Sequence, residues 1–359
     1  MIYALILAGG RGERLWPYSR ISRPKHLLPL LGDMTMIQQT VARLKGLVSD
    51  ENIFVITEGG QKAAIEQQLP QIKPAQIVPE PFGRNTAAAV ALGAVYIERK
   101  DPDGVMIVLS SDHFIDKTEI FQRTLRDCAK MAREEDSLVI MGVKPTYPNT
   151  GYGYIKIGDE LGSDADTKFW RVGSFKEKPD FETAKEYFEG GDYFWNTGMF
   201  IWKTAAIMNE FERHMPKLYG GCLQIREAIG AEREQKTIEE VYTSLDRVPI
   251  DIGIMEKAGN VVMGRADFDW DDIGSWLSME NHISADSNHN MSNCDFEQID
   301  SKNLIAINED GFVGAIGVED IIVVKSGDAV LVCHRDRAQD VKKLVEKMAK
   351  NTKCARYLE

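Results

Sequence analysis

The chain has 359 residues, enough for two domains or for one large domain with an appendage. Hydrophobic residues make up 43% of it, ample for a packed core, and the net charge of −12 excludes the basic footprint of a nucleic-acid binder. An acidic chain can still take an anionic substrate, because a few local cations dominate a cleft.

The first element is the apolar run Ile2-Tyr3-Ala4-Leu5-Ile6-Leu7, followed by Ala8-Gly9-Gly10-Arg11-Gly12-Glu13-Arg14-Leu15-Trp16-Pro17 and then Arg23-Pro24-Lys25. A short apolar run bounded by glycines reads as a buried parallel strand. It lacks a basic flank and is too short for a signal peptide or a membrane span. Glycines let backbone N–H groups approach an anion closely. Arg14 and Lys25 follow and can neutralise phosphate oxygens, so the loop reads as a nucleoside triphosphate site. The dinucleotide fingerprint G-x-G-x-x-G fails, because Leu15 stands where the third glycine belongs. The P-loop fails too, because no Gly-Lys-Ser/Thr follows. A strand-turn-helix with a solvated arginine would explain two glycines, but not the whole ordered string.

Strand-like runs follow at Ile53–Ile56, Val105–Leu109 and Leu138–Met141. Helical patterns cover Thr86–Arg99, rich in alanine, and Ile120–Arg133. This alternation predicts a largely parallel sheet covered on both faces, with ligands beyond the carboxyl ends of its strands. Gly9–Arg14 and Ser111-Asp112 then share one rim. Near residue 284 the chain turns polar through Ser284–Asn293. Short β runs follow at Asn303–Ile307, Phe312–Ile316, Ile321–Val324 and Ala329–Val332. A last helix carries Val341, Leu344, Val345 and Met348 on one face. We therefore expect domains at 1–284 and 294–359. The five cysteines, Cys128, Cys222, Cys294, Cys333 and Cys354, show no C-x-x-C pair, which reads as reduced thiols in a cytoplasmic protein.

Several segments can carry chemistry. In Glu80-Pro81-Phe82-Gly83-Arg84-Asn85-Thr86, Asn85 or Thr86 suits a helix cap. Glu80 and Asn85 also suit a guanine edge, whose N1–H and N2–H₂ groups donate. Asp112, after Ser110-Ser111, reads as a helix cap or as a Mg²⁺ ligand. Asp271 and Asp272, in Phe268-Asp269-Trp270-Asp271-Asp272-Ile273-Gly274-Ser275-Trp276, read as an exposed acidic turn or as a second ligand position. Asn149–Ile155, around Gly153, reads as a bulged strand or as a backbone surface for a sugar ring. Phe175-Lys176-Glu177-Lys178-Pro179 offers an acid for hydroxyls and a base for phosphate. Phe194–Phe200 offers Asn196 as donor and acceptor.

In this order the motifs resemble the sugar-nucleotide pyrophosphorylases, and among them the mannose-1-phosphate guanylyltransferases. The resemblance covers about residues 2–280 closely and the remainder loosely. It implies an α/β fold: a mixed, mostly parallel, Rossmann-like nucleotidyltransferase sheet, then a small β-helix-like module and a terminal helix. It implies transfer of GMP from GTP to α-D-mannose 1-phosphate with Mg²⁺. By position, Arg14 and Lys25 match catalytic cations. Leu7, Ala8, Gly9, Gly10, Gly12, Glu80, Asn85, Thr86, Ser111 and Asp112 match the nucleotide site. Gly153, Glu177, Lys178, Asn196 and Asp251 match the sugar-phosphate site, and Asp112 with Asp272 match the metal ligands. Long relatives carry an isomerase domain for which 359 residues leave no room, so a short form is expected. The expected partners are the two substrates and a second copy in a homodimer, with no nucleic acid and no membrane. Lys176 and Pro249-Ile250-Asp251-Ile252 depart from the usual pattern and bear on sugar choice. The rival readings are another sugar 1-phosphate and a non-catalytic sugar-nucleotide sensor; the sensor should have lost a loop cation or a metal carboxylate.

Overall fold

A computed structural model describes residues 1–162 and 166–359. Strand β1 (Ile2–Ala8) buries Tyr3, Ala4, Leu5 and Ile6 completely. Consecutive buried residues point to opposite faces, so this strand is covered on both sides. It lies between β2 (Ile53–Glu58) and β4 (Val105–Ser110), parallel to both, and β3 (Ile77–Glu80) runs parallel outside β2. The chain thus steps outward from β1 to β3 and returns to the other side of β1 for β4. The strand order reverses between β1 and β4, which is where open α/β sheets bind ligands.

The sheet continues with β5 (Leu138–Val143), β6 (Tyr154–Leu161), β7 (Phe169–Lys176), β8 (Tyr193–Lys203) and β9 (Val261–Arg265). Its spatial order is β3-β2-β1-β4-β8-β5-β9-β7-β6. Strand β8 runs antiparallel to its neighbours β4 and β5, and β7 antiparallel to β9 and β6. The other strands share one direction, so the sheet is mixed but mostly parallel, as the strand-helix alternation predicts.

Helix α1 (Thr86–Lys100) and helix α2 (Thr118–Glu134) match the predicted stretches to within two residues. Helices α3 (Thr204–His214), α4 (Pro216–Ala228) and α5 (Glu234–Ser244) join α1 in one core with Tyr3, Leu5, Trp202, Phe211 and Tyr242. Each large side chain buried there contributes about 1.5–3 kcal/mol. No helix among the described residues is long and apolar enough to cross a membrane.

The contacts divide the chain into two compact units. The first holds the sheet and consists of Met1–Gly9, Thr40–Ser111 and Ile115–Trp270. The second consists of Gly10–Gln39, Asp112–Phe114 and Asp271–Glu359. In it, β10 (Met291–Ser292), β12 (Ile305–Asn308) and β14 (Ile321–Ser326) stack in parallel, with β15 (Ala329–His334) antiparallel at the edge. A second ladder pairs β11 (Asp295–Ile299) with β13 (Phe312–Ile316), also in parallel. Two stacked parallel ladders give the β-helix-like module, which ends in helix α6 (Val341–Ala349). Its core contains Ile305, Ile322, Val324 and Leu331 together with Leu15, Trp16, Tyr18 and Leu28.

Candidate functional site

On the sheet unit, five of the expected sugar-phosphate residues meet. Gly153 precedes β6, Glu177 and Lys178 follow β7, and Asn196 lies within β8. The pairing of β5 with β8 shifts register between Ile140 and Gly142, which sets Asn196 opposite Gly142. A Cβ on Gly153 would stand 2.6 Å from Glu177 Oε2, 3.1 Å from Phe175 Cζ and 3.3 Å from Asn196 Cβ, so any larger residue there would displace the Glu177 carboxylate. The Asn196 N–H donates to the Gly153 carbonyl at 2.8 Å, and its Nδ2 donates to Asp251 Oδ1 at 2.8 Å. Asp251 opens a π-helical turn, Asp251–Met255, a form that recurs at functional sites. Lys178 Nζ lies 2.8 Å from Glu177 Oε1, and Lys178 holds φ at 45°, a costly conformation outside glycine.

Burial pushes the Asp251 carboxyl up to about 6, with the Glu177 charge adding to the shift and Asn196 and Lys178 opposing it. Between pH 4 and 6, roughly, the native state holds a proton that the unfolded state has released, so stability falls as pH rises through this window. Asp251→Asn keeps an acceptor for Asn196 and removes the buried charge. Its melting temperature is expected to exceed that of the unmodified protein at pH 8 and to converge with it near pH 4, as measured by scanning calorimetry.

The same unit carries the expected base-edge residues. Glu80 ends β3, is 5% exposed, and accepts a hydrogen bond from the Tyr242 hydroxyl at 3.0 Å. Burial pushes its carboxyl up to about 7; the Tyr242 bond opposes this and the Glu58 charge adds to it. Glu80 Oε2 faces Gly9, 3.7 Å from where a Cβ would sit. Asn85 caps α1, at φ 72°, with its Oδ1 accepting from Thr86 N at 2.8 Å. Thr86 Oγ1 accepts from Ile250 N at 2.8 Å, which ties α1 to the turn that bears Asp251. The main chain closes the rim: Ser111 N donates to Leu7 O at 3.0 Å, and Thr57 Oγ1 to Ala8 O at 2.8 Å.

The glycine loop belongs to the second unit. Gly12 has φ 69°, and a Cβ there would lie 2.4 Å from Lys25 Cβ. At Gly10 a Cβ would meet nothing within 4 Å. Lys25 is 4% exposed, and its Nζ lies 2.9 Å from Asp112 Oδ2 and 2.5 Å from the Asp272 carbonyl oxygen. The exposed Arg14 guanidinium has no ion pair or hydrogen bond among the described residues. Asp112 is not a helix cap, since α2 starts at Thr118 after Lys117.

The acidic turn is not exposed either. Asp271 is buried and accepts from Ile273 N at 2.7 Å, Asn281 Nδ2 at 2.8 Å and His282 Nε2 at 3.1 Å. Burial alone would raise its pKa, but the His282 and Asn281 bonds outweigh it and hold the carboxyl below the usual range. Asp271 thus anchors the turn, and Ile273 is left at φ 43°, an outlier for a β-branched residue. Among the described residues no group of three or more His, Cys, Asp or Glu side chains gathers in a metal-binding cluster. The partly exposed Asp112 and Asp272 both meet Lys25, Asp112 through its carboxylate and Asp272 through its main-chain carbonyl. Mg²⁺ is usually held by one or two carboxylates plus substrate phosphates.

Two residues here escape a motif reading. Tyr242 sits in an ordinary helical run, 162 positions from the carboxylate it contacts. His26, next to Lys25, is 1% exposed; its ring bonds the Gly10 carbonyl and its Nε2 has no partner. Burial lowers it to about 4, so it is neutral at pH 7. Only its place beside the loop lysine signalled it.

Comparison with known proteins places the chain in a family. Residues 3–289 match the family described as nucleotidyl transferase, and residues 297–348 match the mannose-phosphate isomerase/GMP-like β-helix domain. The mannose-1-phosphate guanylyltransferase of Escherichia coli K12 is 36% identical over 97% of this chain and 73% of its own. That of Salmonella typhimurium LT2 is 37% identical over the same shares. A crystal structure from Thermus thermophilus, described as a mannose-1-phosphate geranyltransferase, superposes with a TM-score of 0.87 at 35% identity, covering 97% of this chain and 99% of that one. The chain therefore belongs to the nucleotidyl transferase family, in its mannose-1-phosphate guanylyltransferase branch.

Proposed function

We propose that this chain transfers GMP from GTP to α-D-mannose 1-phosphate, giving GDP-mannose and pyrophosphate. The observation that carries the reading is the cluster of Gly153, Glu177, Lys178, Asn196 and Asp251 in a member of this family. Carboxylates that accept from sugar hydroxyls lie there beside an ammonium that suits a phosphate. A phosphate oxygen of the sugar attacks the α-phosphorus in line. The new P–O bond forms as the bond to pyrophosphate breaks, and the leaving group carries off the electron pair. The attacking phosphate is already ionised, so no protein nucleophile is needed, and catalysis is positioning plus charge neutralisation.

In this reading Gly10 and Gly12 give the triphosphate room at the main chain, and Arg14 and Lys25 neutralise it. Asp112 and Asp272 would hold Mg²⁺, which when bound offsets charge on the reacting phosphates. Glu80 accepts from the guanine N1–H and N2–H₂ groups, and the Asn85 amide nitrogen donates to O6. The five thiols are free, which supports a reducing, cytoplasmic compartment. The same reading takes the assembly as a homodimer, which sedimentation equilibrium measures. The experiment for the reaction is pyrophosphate release with GTP against a panel of sugar 1-phosphates. Mannose 1-phosphate is expected to give the highest kcat/KM, and a different preferred sugar would replace the assignment.

Glu80 supplies a separate prediction. Adenine presents an acceptor at N1 and no 2-amino group, and a buried acceptor facing an acceptor costs about 1–3 kcal/mol. The GTP/ATP ratio of kcat/KM is therefore expected to rise as pH increases through about 7, where Glu80 ionises. Both nucleotides share the same triphosphate titration, so the ratio isolates the base. Glu80→Gln should flatten this profile and lower the ratio, whereas an unchanged profile would move Glu80 off the base edge.

A further inference from the structure

We propose that the C-terminal β module sets the spacing of the two loop cations, with Trp16 as the positioning residue; this rests on the assignment of Arg14 and Lys25 to the triphosphate. Arg14 and Lys25 are joined by Leu15–Pro24, and that connection is held by residues far along the chain. The Trp16 indole N–H donates to the Tyr357 carbonyl at 3.0 Å, and the Trp16 carbonyl accepts from the Trp276 indole at 3.0 Å. Ile21 N donates to Leu358 O at 2.7 Å. Arg20 donates to Ser326 O at 3.1 Å and pairs with Asp328 at 3.0 Å. Arg23 pairs with Glu309 at 2.7 Å, and Ser22 Oγ donates to Glu359 O at 2.8 Å.

The apolar contacts agree. Leu15, Trp16 and Tyr18 are buried in one core with Val324, Leu331, Val341 and Leu358, and the Tyr18 ring stands edge-on to Trp276 at 5.2 Å. Lys25 is held at its own end by Asp112 and the Asp272 carbonyl, and Arg14 has no such tether. The position of Arg14 relative to Lys25 therefore depends on the packing of Leu15 and Trp16 against the module. The module is a working part of the triphosphate site, and its disturbance should weaken phosphate binding selectively.

The test uses the full chain with Trp16→Phe, which keeps an aromatic ring and removes the bond to Tyr357, and Arg20→Met, which keeps an apolar stem and removes the bonds to Ser326 and Asp328 together with the one to the Pro17 carbonyl. Pyrophosphate and mannose 1-phosphate affinities are measured by calorimetry, which needs no turnover, beside the KM values for GTP and mannose 1-phosphate. Loss of one such bond is expected to weaken pyrophosphate and GTP by roughly fivefold, with mannose 1-phosphate within about twofold of the unmodified protein. If Trp16→Phe does not fold, Arg20→Met decides alone. Equal weakening of all ligands, or unchanged pyrophosphate affinity in a folded variant, would overturn the proposal. If the unmodified protein binds pyrophosphate yet turns over no mannose 1-phosphate, the reaction assignment fails and the calorimetric comparison still stands.

Discussion

Asp112→Asn and Asp272→Asn are expected to lose turnover alike and to differ in stability. Each substitution removes one anionic oxygen ligand from the proposed Mg²⁺ site. Loss of several kcal/mol of transition-state charge stabilisation corresponds to a fall in kcat on the order of a hundredfold or more. The stability effects separate because Lys25 uses the two residues differently. Its ammonium pairs with the Asp112 side chain but takes the main-chain carbonyl of Asp272. Asp112→Asn leaves a buried ammonium without its counter-charge, at a cost below the roughly 3–5 kcal/mol of a fully buried pair because Asp112 keeps some exposure. Asp272→Asn leaves that carbonyl in place, so loss of a Lys25 partner is confined to Asp112→Asn. Stopped-time pyrophosphate assays and thermal melts measure the two effects, and Mn²⁺ titration in the presence of GTP reports metal affinity without turnover. Full activity in either variant would remove that residue from the metal site.

The second large effect separates two glycines two residues apart. Gly10 points its missing side chain into open space and has no positive φ, so Gly10→Val should fold normally. If the triphosphate occupies that space, the new side chain displaces it, and GTP affinity should fall by about two orders of magnitude, a loss of about 2.8 kcal/mol. Gly12→Ala meets the opposite situation. Its Cβ would collide with the Cβ of Lys25, and φ 69° is itself unfavourable, so the loop must move and the melting temperature should drop. Calorimetric GTP titration beside a thermal melt separates these outcomes. A folded Gly10→Val protein with unchanged GTP affinity would make the loop a simple turn.

Much of this was legible because it is local. The first strand, the glycine turn and the alanine-rich helix α1 each declare themselves within a few residues, through unbroken apolar runs and turn formers. The stacked β runs after residue 300 were equally plain as elements. The antiparallel placement of β8 between β4 and β5 was not, since no local feature of Tyr193–Lys203 specifies its neighbours. The two adjacent carboxylates at 271 and 272 look alike in sequence. They separate only when His282 and Asn281 close on Asp271. Glu80 gave no sign that Tyr242 would meet it, because nothing in a helical run announces a partner on a distant strand. The polar residues around Asp251 were nameable one by one through the family pattern, but their hydrogen bonds to one another come from the bulge in β8 and the π-turn.

The chain enters the second unit three times, at residues 10, 112 and 271, and this has a consequence for synthesis. Trp16 and the carbonyl that receives its indole are 341 residues apart. At about 5–20 residues per second, roughly 20–70 s pass between the ribosome's delivery of one and of the other. The sheet has all its strands only once Arg265 is made, and from then on Leu15, Trp16 and Tyr18 still lack Ile305, Ile322, Val324, Leu331, Val341 and Leu358 of the core that buries them. A nascent copy can therefore complete its first unit, which ends at Trp270, before the segment that begins at Gly10 has the partners contributed by Asp271–Glu359. Until those partners are made, the aromatic segment Trp16–Tyr18 has no core to bury it.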